Sequence, residues 1–148
     1  MENDMLERRL GFELHSLNNL IKRRVESSEY FRRVQEMTGT NSWIISYLAK
    51  HQDADIFQKD LQERFSVTRS TASKVLSLME QKNLIKRESV ASDARLKKIV
   101  LTEKAIQMYE AIECEIESLE KEMLKGFSEQ ELQEFYQYIE RMKENISS

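Results

Sequence analysis

The stretch from residue 60 to residue 102 constrains this chain most, because its hydrophobic spacing switches there from helical to extended. Residues 59–65 and 68–81 each carry a helical pattern, and the short turn Ser66-Val67-Thr68 separates them. In the second pattern Ala72, Val75, Leu76 and Met79 form one stripe, while Arg69, Ser70, Thr71, Ser73, Lys74 and Ser77 fall on other faces. Thr68 is suited to cap that helix at its start. Asn83 stands just past its end, where Asn tolerates the left-handed conformation that stops a helix. Residues 84–89 and 97–101 then read as two β-type arms around a charged tip carrying Asp93-Ala94-Arg95. Two short helices followed by a hairpin leave few folds open.

The rest of the chain reads as helix. Only three glycines and no proline interrupt 148 residues, which favours long helices. Residues 5–27 carry Leu6, Leu10, Leu14, Leu17 and Ile21 as one stripe, widened by Phe12 and Leu20. A second helix is expected to begin near Thr40 or Asn41, after a turn at Gly39, and to carry Trp43, Ile44, Tyr47 and Leu48. Ile56-Phe57 reads as a very short strand after a polar loop. Thr102 is suited to cap the longest helix, which runs to about residue 125 with Ile106, Tyr109, Ile112, Ile116, Leu119 and Met123 as a coiled-coil-like seam. Gly126 stops it. Ser128 to Glu131 form a capping box beside a Phe127–Leu132 staple, opening a last helix with Leu132, Phe135, Tyr136, Ile139, Met142 and Ile146.

Several classes are disfavoured at once. Charged residues make up 33% of the chain, and no apolar run approaches the ~20 residues of a membrane span, so a soluble protein is expected. The first twelve residues mix acids with bases and lack an apolar core, against a secretory signal. The single cysteine, Cys114, excludes an internal disulfide and fits a cytoplasmic setting. No Gly-rich phosphate loop, nucleophile–base pair or metal-ligand cluster is evident, and the two histidines, His15 and His51, are far apart. The expectation is a non-enzyme without cofactor or metal.

Charge is partitioned along the chain, and the partition matters more than the overall net of −3. Residues 1–58 are nearly balanced at −1, residues 59–98 carry ten bases against five acids, and residues 99–148 carry five against twelve. The helix-and-hairpin stretch is thus a +5 island in an acidic protein. That island fits a DNA duplex. A helix entering the major groove needs short polar or basic side chains near its start, and Thr68, Arg69, Ser70, Thr71, Ser73 and Lys74 supply them. A basic hairpin suits the neighbouring minor groove: Arg95 would enter it, with Lys86, Arg87, Lys97 and Lys98 on the arms. Asp93 is placed to hold either the Arg95 side chain or the turn backbone.

With these residues the chain resembles the MarR family of bacterial transcription regulators. The resemblance rests on Val67-Thr68-Arg69-Ser70-Thr71-Ala72-Ser73, Leu78-Met79-Glu80, Leu84-Ile85-Lys86-Arg87, Asp93-Ala94-Arg95 and Leu101-Thr102. Asn83 and Ala105 stand where that family often has glycine. The resemblance implies a mainly α fold with a small β-hairpin wing: a winged helix-turn-helix at about residues 40–102, flanked by dimerisation helices at about 5–27 and 103–146 in one domain of 1–148. It further implies a homodimer on a pseudo-palindromic operator, usually as a repressor. A small aromatic or lipophilic effector would release the DNA, with His15, Asn18, Trp43 and Tyr47 as the residues that would line its cleft. Ordinary core packing is the plainer account of Trp43 and Tyr47. An inert thiol is the plainer account of Cys114. The competing function is a winged-helix protein–protein adaptor that binds no DNA.

Overall fold

The computed structural model of the chain describes residues 8–38 and 42–147, and two compact units divide it after Ile116. Among the described residues there are seven α-helices and one two-stranded sheet. They are α1 (Leu10–Glu26), α2 (Glu29–Thr38), α3 (Ser42–Lys50), α4 (Gln58–Phe65), α5 (Arg69–Gln81), β1 (Ile85–Val90), β2 (Asp93–Leu101), α6 (Glu103–Met123) and α7 (Glu129–Ile146).

The core of the first unit joins Ile45 and Leu48 of α3, Leu61 of α4, Leu76 and Met79 of α5, Ile85 of β1, Ile99 and Leu101 of β2, and Ala105 of α6. Leu76, Met79 and Ile45 are wholly buried, and Ala72 nearly so. The apolar stripe read along α5 is the buried one, with Val75 at its half-buried margin. Ala105 occupies a fully buried position in which a bare methyl fits.

Each short helix has an identifiable start and stop. Asp60 accepts the Phe57 N–H at 2.8 Å and so satisfies one orphan donor ahead of α4. Ser66 ends α4 in the left-handed region, at φ 52°, and both its N–H and that of Val67 point to the Gln62 carbonyl. Thr68 caps α5 by accepting the Thr71 N–H at 3.2 Å. Asn83 is left-handed at φ 60°, and the Leu84 N–H closes back on the Met79 carbonyl at 2.9 Å. Thr102 ties this turn to the next helix: its hydroxyl donates to the Asn83 carbonyl at 2.7 Å while its oxygen accepts the Ala105 N–H at 3.3 Å.

In the second unit, the Ser128–Glu131 capping box is closed in both directions, at 2.7 and 3.1 Å. Gly126, at φ 87°, makes the break before it.

Four expectations are corrected. The first helix starts at Leu10, because Arg9 is extended at φ −88° and ψ 118°; Leu6 lies outside the described residues. A helix not anticipated, α2, fills residues 29–38; Ser28 caps it through the Phe31 N–H at 3.3 Å, and Phe31 is buried. The caps proposed at Thr40 and Asn41, and the Gly39 turn, lie outside the described residues. Ile56 forms no strand; its carbonyl accepts one ladder-like bond from the Ile99 N–H at 2.7 Å, and Phe57 turns into α4. The hairpin is also longer than read, which bears directly on the site.

Candidate DNA-binding interface

Helix α5 exposes its starting end as the sequence predicts. Thr68, Arg69, Ser70, Thr71, Ser73 and Lys74 are all exposed, with Ala72 alone turned into the core. The cap organises the hydroxyls: Thr68 Oγ1 lies 2.9 Å from Thr71 Oγ1 and 3.2 Å from Ser70 Oγ. Gln58, at the start of α4, donates to the Arg69 carbonyl at 3.3 Å and so ties the two helices together at the exposed end. The guanidinium of Arg69 and the ammonium of Lys74 have no ion pair or hydrogen bond among the described residues. They are available to phosphate or base edges.

The wing is a tight hairpin whose tip is Ala91-Ser92, with Val90 opposite Asp93. Asp93-Ala94-Arg95 therefore does not form the tip; it opens β2. The reason is register. Pairing of Ile85 with Leu101 and Arg87 with Ile99 carries the ladder outward past the apolar arms, with one irregularity between Ser89 and Val90. Of the two roles read for Asp93, the backbone role is the one present: its Oδ1 accepts the Arg95 N–H at 2.9 Å. The Arg95 guanidinium remains exposed and without a partner among the described residues.

The other wing bases differ sharply in their availability. Lys86 is exposed and unpaired among the described residues. Lys97 donates to Ser89 Oγ across the strands. Lys98, two-thirds buried, pairs with Asp55 at 3.5 Å. Arg87, with its side chain 28% exposed, faces Glu80 at 3.6 Å. Asp55, Glu80 and Gln58 thus shape the basic surface, although nothing in the linear sequence pairs them with their partners. Only the long-range return of the hairpin toward α4 and α5 brings them there.

The residues read as an effector cleft are not brought together by any contact or cavity among the described residues. His15 and Asn18 are exposed on α1, and Trp43 is 39% exposed on α3. Tyr47 packs into the core margin, stacked on His51 at 4.2 Å and edge-on to Phe65 at 5.7 Å. Cys114 is exposed on α6. Among the described residues no helix is long and apolar enough to cross a membrane.

Residues 35–96 match the sequence profile of the MarR family. The crystal structure of the transcription regulator MarR from Oenococcus oeni superposes with a TM-score of 0.80 at 31% identity, covering 92% of this chain and 99% of that one. MepR of S. aureus, solved as a DNA complex, matches with a TM-score of 0.75 at 23% identity, covering 95% and 100%. The heme-free form of PefR, a heme sensor of Streptococcus agalactiae, matches with a TM-score of 0.68 at 26% identity, covering 91% and 95%. With 31% identity to a MarR regulator over nearly all of both chains, and with an exposed polar helix start beside a basic wing, this chain belongs to the MarR family of DNA-binding transcription regulators, which are not enzymes.

Proposed function

We propose that this chain is a homodimeric repressor that binds a pseudo-palindromic operator and is released by a small effector. The observation that carries the reading is the pairing of two free readers on one basic lobe: the polar start of α5 and the unpartnered Arg95 guanidinium. In this reading Thr68, Arg69, Ser70, Thr71, Ser73 and Lys74 face the major groove. Arg95 enters the minor groove, and Asp93 holds its backbone. Lys86 reaches a phosphate. Two such lobes would meet successive major grooves about one helical turn, or ~34–36 Å, apart.

The apolar faces outside the lobe support the dimer. On α1, Leu10, Phe12 and Leu20 are each more than half exposed, and on α7 so are Tyr136, Tyr138 and Ile146. No residue of α7 is buried, although its apolar positions recur at helical spacing. Faces of this kind are costly to leave in water, and a second copy of the same chain supplies matching ones. The helices at about 5–27 and 103–146 would be the dimerising part of one functional domain, and the lobe at about 40–102 its reading part. Chromosomal DNA as the target puts the place of action in the cytoplasm.

For release, His15, Asn18, Trp43 and Tyr47 are the candidate contacts for an aromatic or lipophilic effector. The half-exposed Trp43 indole is the strongest of them, and PefR, a heme sensor of similar fold, supports a ligand-responsive role. The deciding experiment is selection of bound duplexes from a random pool, with the mass of the recovered complex measured. Two chains per duplex on a two-fold motif with half-site centres ~10 base pairs apart is the expected result. One chain per duplex, or no enriched sequence, would rule the proposal out.

A further inference from the structure

We propose that Arg87 serves DNA binding indirectly, by latching the wing to the recognition helix through Glu80, and does not itself contact DNA. The inference rests on the two-reader interface proposed above and concerns how its parts are held together. Glu80 lies in the last turn of α5, where a carboxylate opposes the helix dipole and a base is the favoured residue. That turn contains no base. The chain then reverses at Asn83 and enters β1 at Ile85, and Arg87 returns to within 3.6 Å of Glu80. Arg87 Nε is shielded from water and has no hydrogen-bond partner among the described residues, so the Glu80 carboxylate is what offsets its charge. An arginine engaged in this way is poorly placed to reach a phosphate. It is well placed to fix the angle between β1 and α5, and hence between Arg95 and the α5 start.

The charge of Glu80 makes the test sign-dependent. If only the local field counted, Glu80→Gln would remove a negative charge near a polyanion and tighten binding. If Glu80 positions the wing, the same change weakens binding, by roughly three- to tenfold for the loss of a half-buried ion pair. Affinity for the tightest duplex recovered from a random pool is measured for wild type, Glu80→Gln, Arg87→Gln, Arg95→Ala and the Glu80→Gln/Arg95→Ala double variant, each over a salt series. The latch predicts that Glu80→Gln and Arg87→Gln both weaken binding with the salt slope unchanged. It also predicts that Glu80→Gln costs little once Arg95 is gone, whereas a general stability role would cost the same in both backgrounds.

Equal or tighter binding by Glu80→Gln overturns the latch, and so does a slope shallower by about 0.9 for Arg87→Gln, the mark of a lost phosphate contact. Arg95→Ala separates the two levels of failure. Loss of affinity there, with none for Glu80→Gln, overturns the latch alone. No loss in either overturns the wing's role and the latch together. Should Arg87→Gln fail to fold, the half-exposed Glu80→Gln still decides the question.

Discussion

Replacing Thr102 with Val should destabilise the lobe without opening a cavity, because the two side chains have nearly the same volume. Thr102 is buried, and its hydroxyl has two tasks. It donates to the Asn83 carbonyl at 2.7 Å and caps α6 by accepting the Ala105 N–H at 3.3 Å. Loss of the cap is worth about 1 kcal/mol. Loss of the bond to Asn83 adds about 1 kcal/mol. The extra buried methyl group offsets part of this, by under ~1 kcal/mol. The net cost is about 1–2 kcal/mol, which for a chain of this size lowers the melting temperature by roughly 3–8 °C. Thermal unfolding followed by circular dichroism measures it, with Thr102→Ser as the control that keeps the hydroxyl. The effect should reach function as well, since Asn83 ends the helix whose other end is proposed to read DNA. A melting temperature unchanged in Thr102→Val, or lowered equally by Thr102→Ser, would show that the hydroxyl does not tie α5 to α6.

Three further outcomes follow from the proposed interface. Arg95→Ala should weaken operator binding by roughly tenfold or more while the dimer, measured by sedimentation, stays intact. Unchanged affinity would remove Arg95 from the interface. Arg69→Ala should relax base preference at one position per half-site, by roughly 1–3 kcal/mol if the contact is bidentate; an operator library read with equal selectivity by both proteins would exclude that contact. Phe135→Glu, on a ring that is 47% exposed in the single chain, should shift the protein toward monomer and lower operator affinity. A dimer of undiminished strength would move the interface elsewhere.

Local chemistry made much of the fold legible in advance. The α5 stripe, the Thr68 cap, the left-handed Asn83 and the Ser128–Glu131 box each depend on residues within a few positions of one another, so the linear pattern carries them. Helix α2 was harder to see, because Ser27 and Ser28 separate it from α1 without a glycine or proline, and its cap becomes evident only with Phe31 buried. The extent of the wing was illegible for a different reason. Asp93 and Ala94 have poor strand propensity, and they are strand because β1 pairs with them. The same limit applied to the site. Composition counted five wing bases alike, whereas tertiary return gives Arg87 to Glu80, Lys98 to Asp55 and Lys97 to Ser89. It leaves Arg95 and Lys86 free.

The most direct test of DNA recognition by the basic lobe is the salt dependence of duplex binding. Because residues 59–98 carry a net charge of +5 and the rest of the chain is acidic, contact is confined to that face. The logarithm of the association constant should fall linearly with the logarithm of salt, by about 0.9 for each phosphate neutralised. With Arg69, Lys74, Lys86 and Arg95 free in each of two lobes, a slope of several units is expected for the selected operator. Arg95→Ala should make that slope shallower. A slope near zero with every duplex tried would contradict the account and leave a winged-helix surface that grips protein instead.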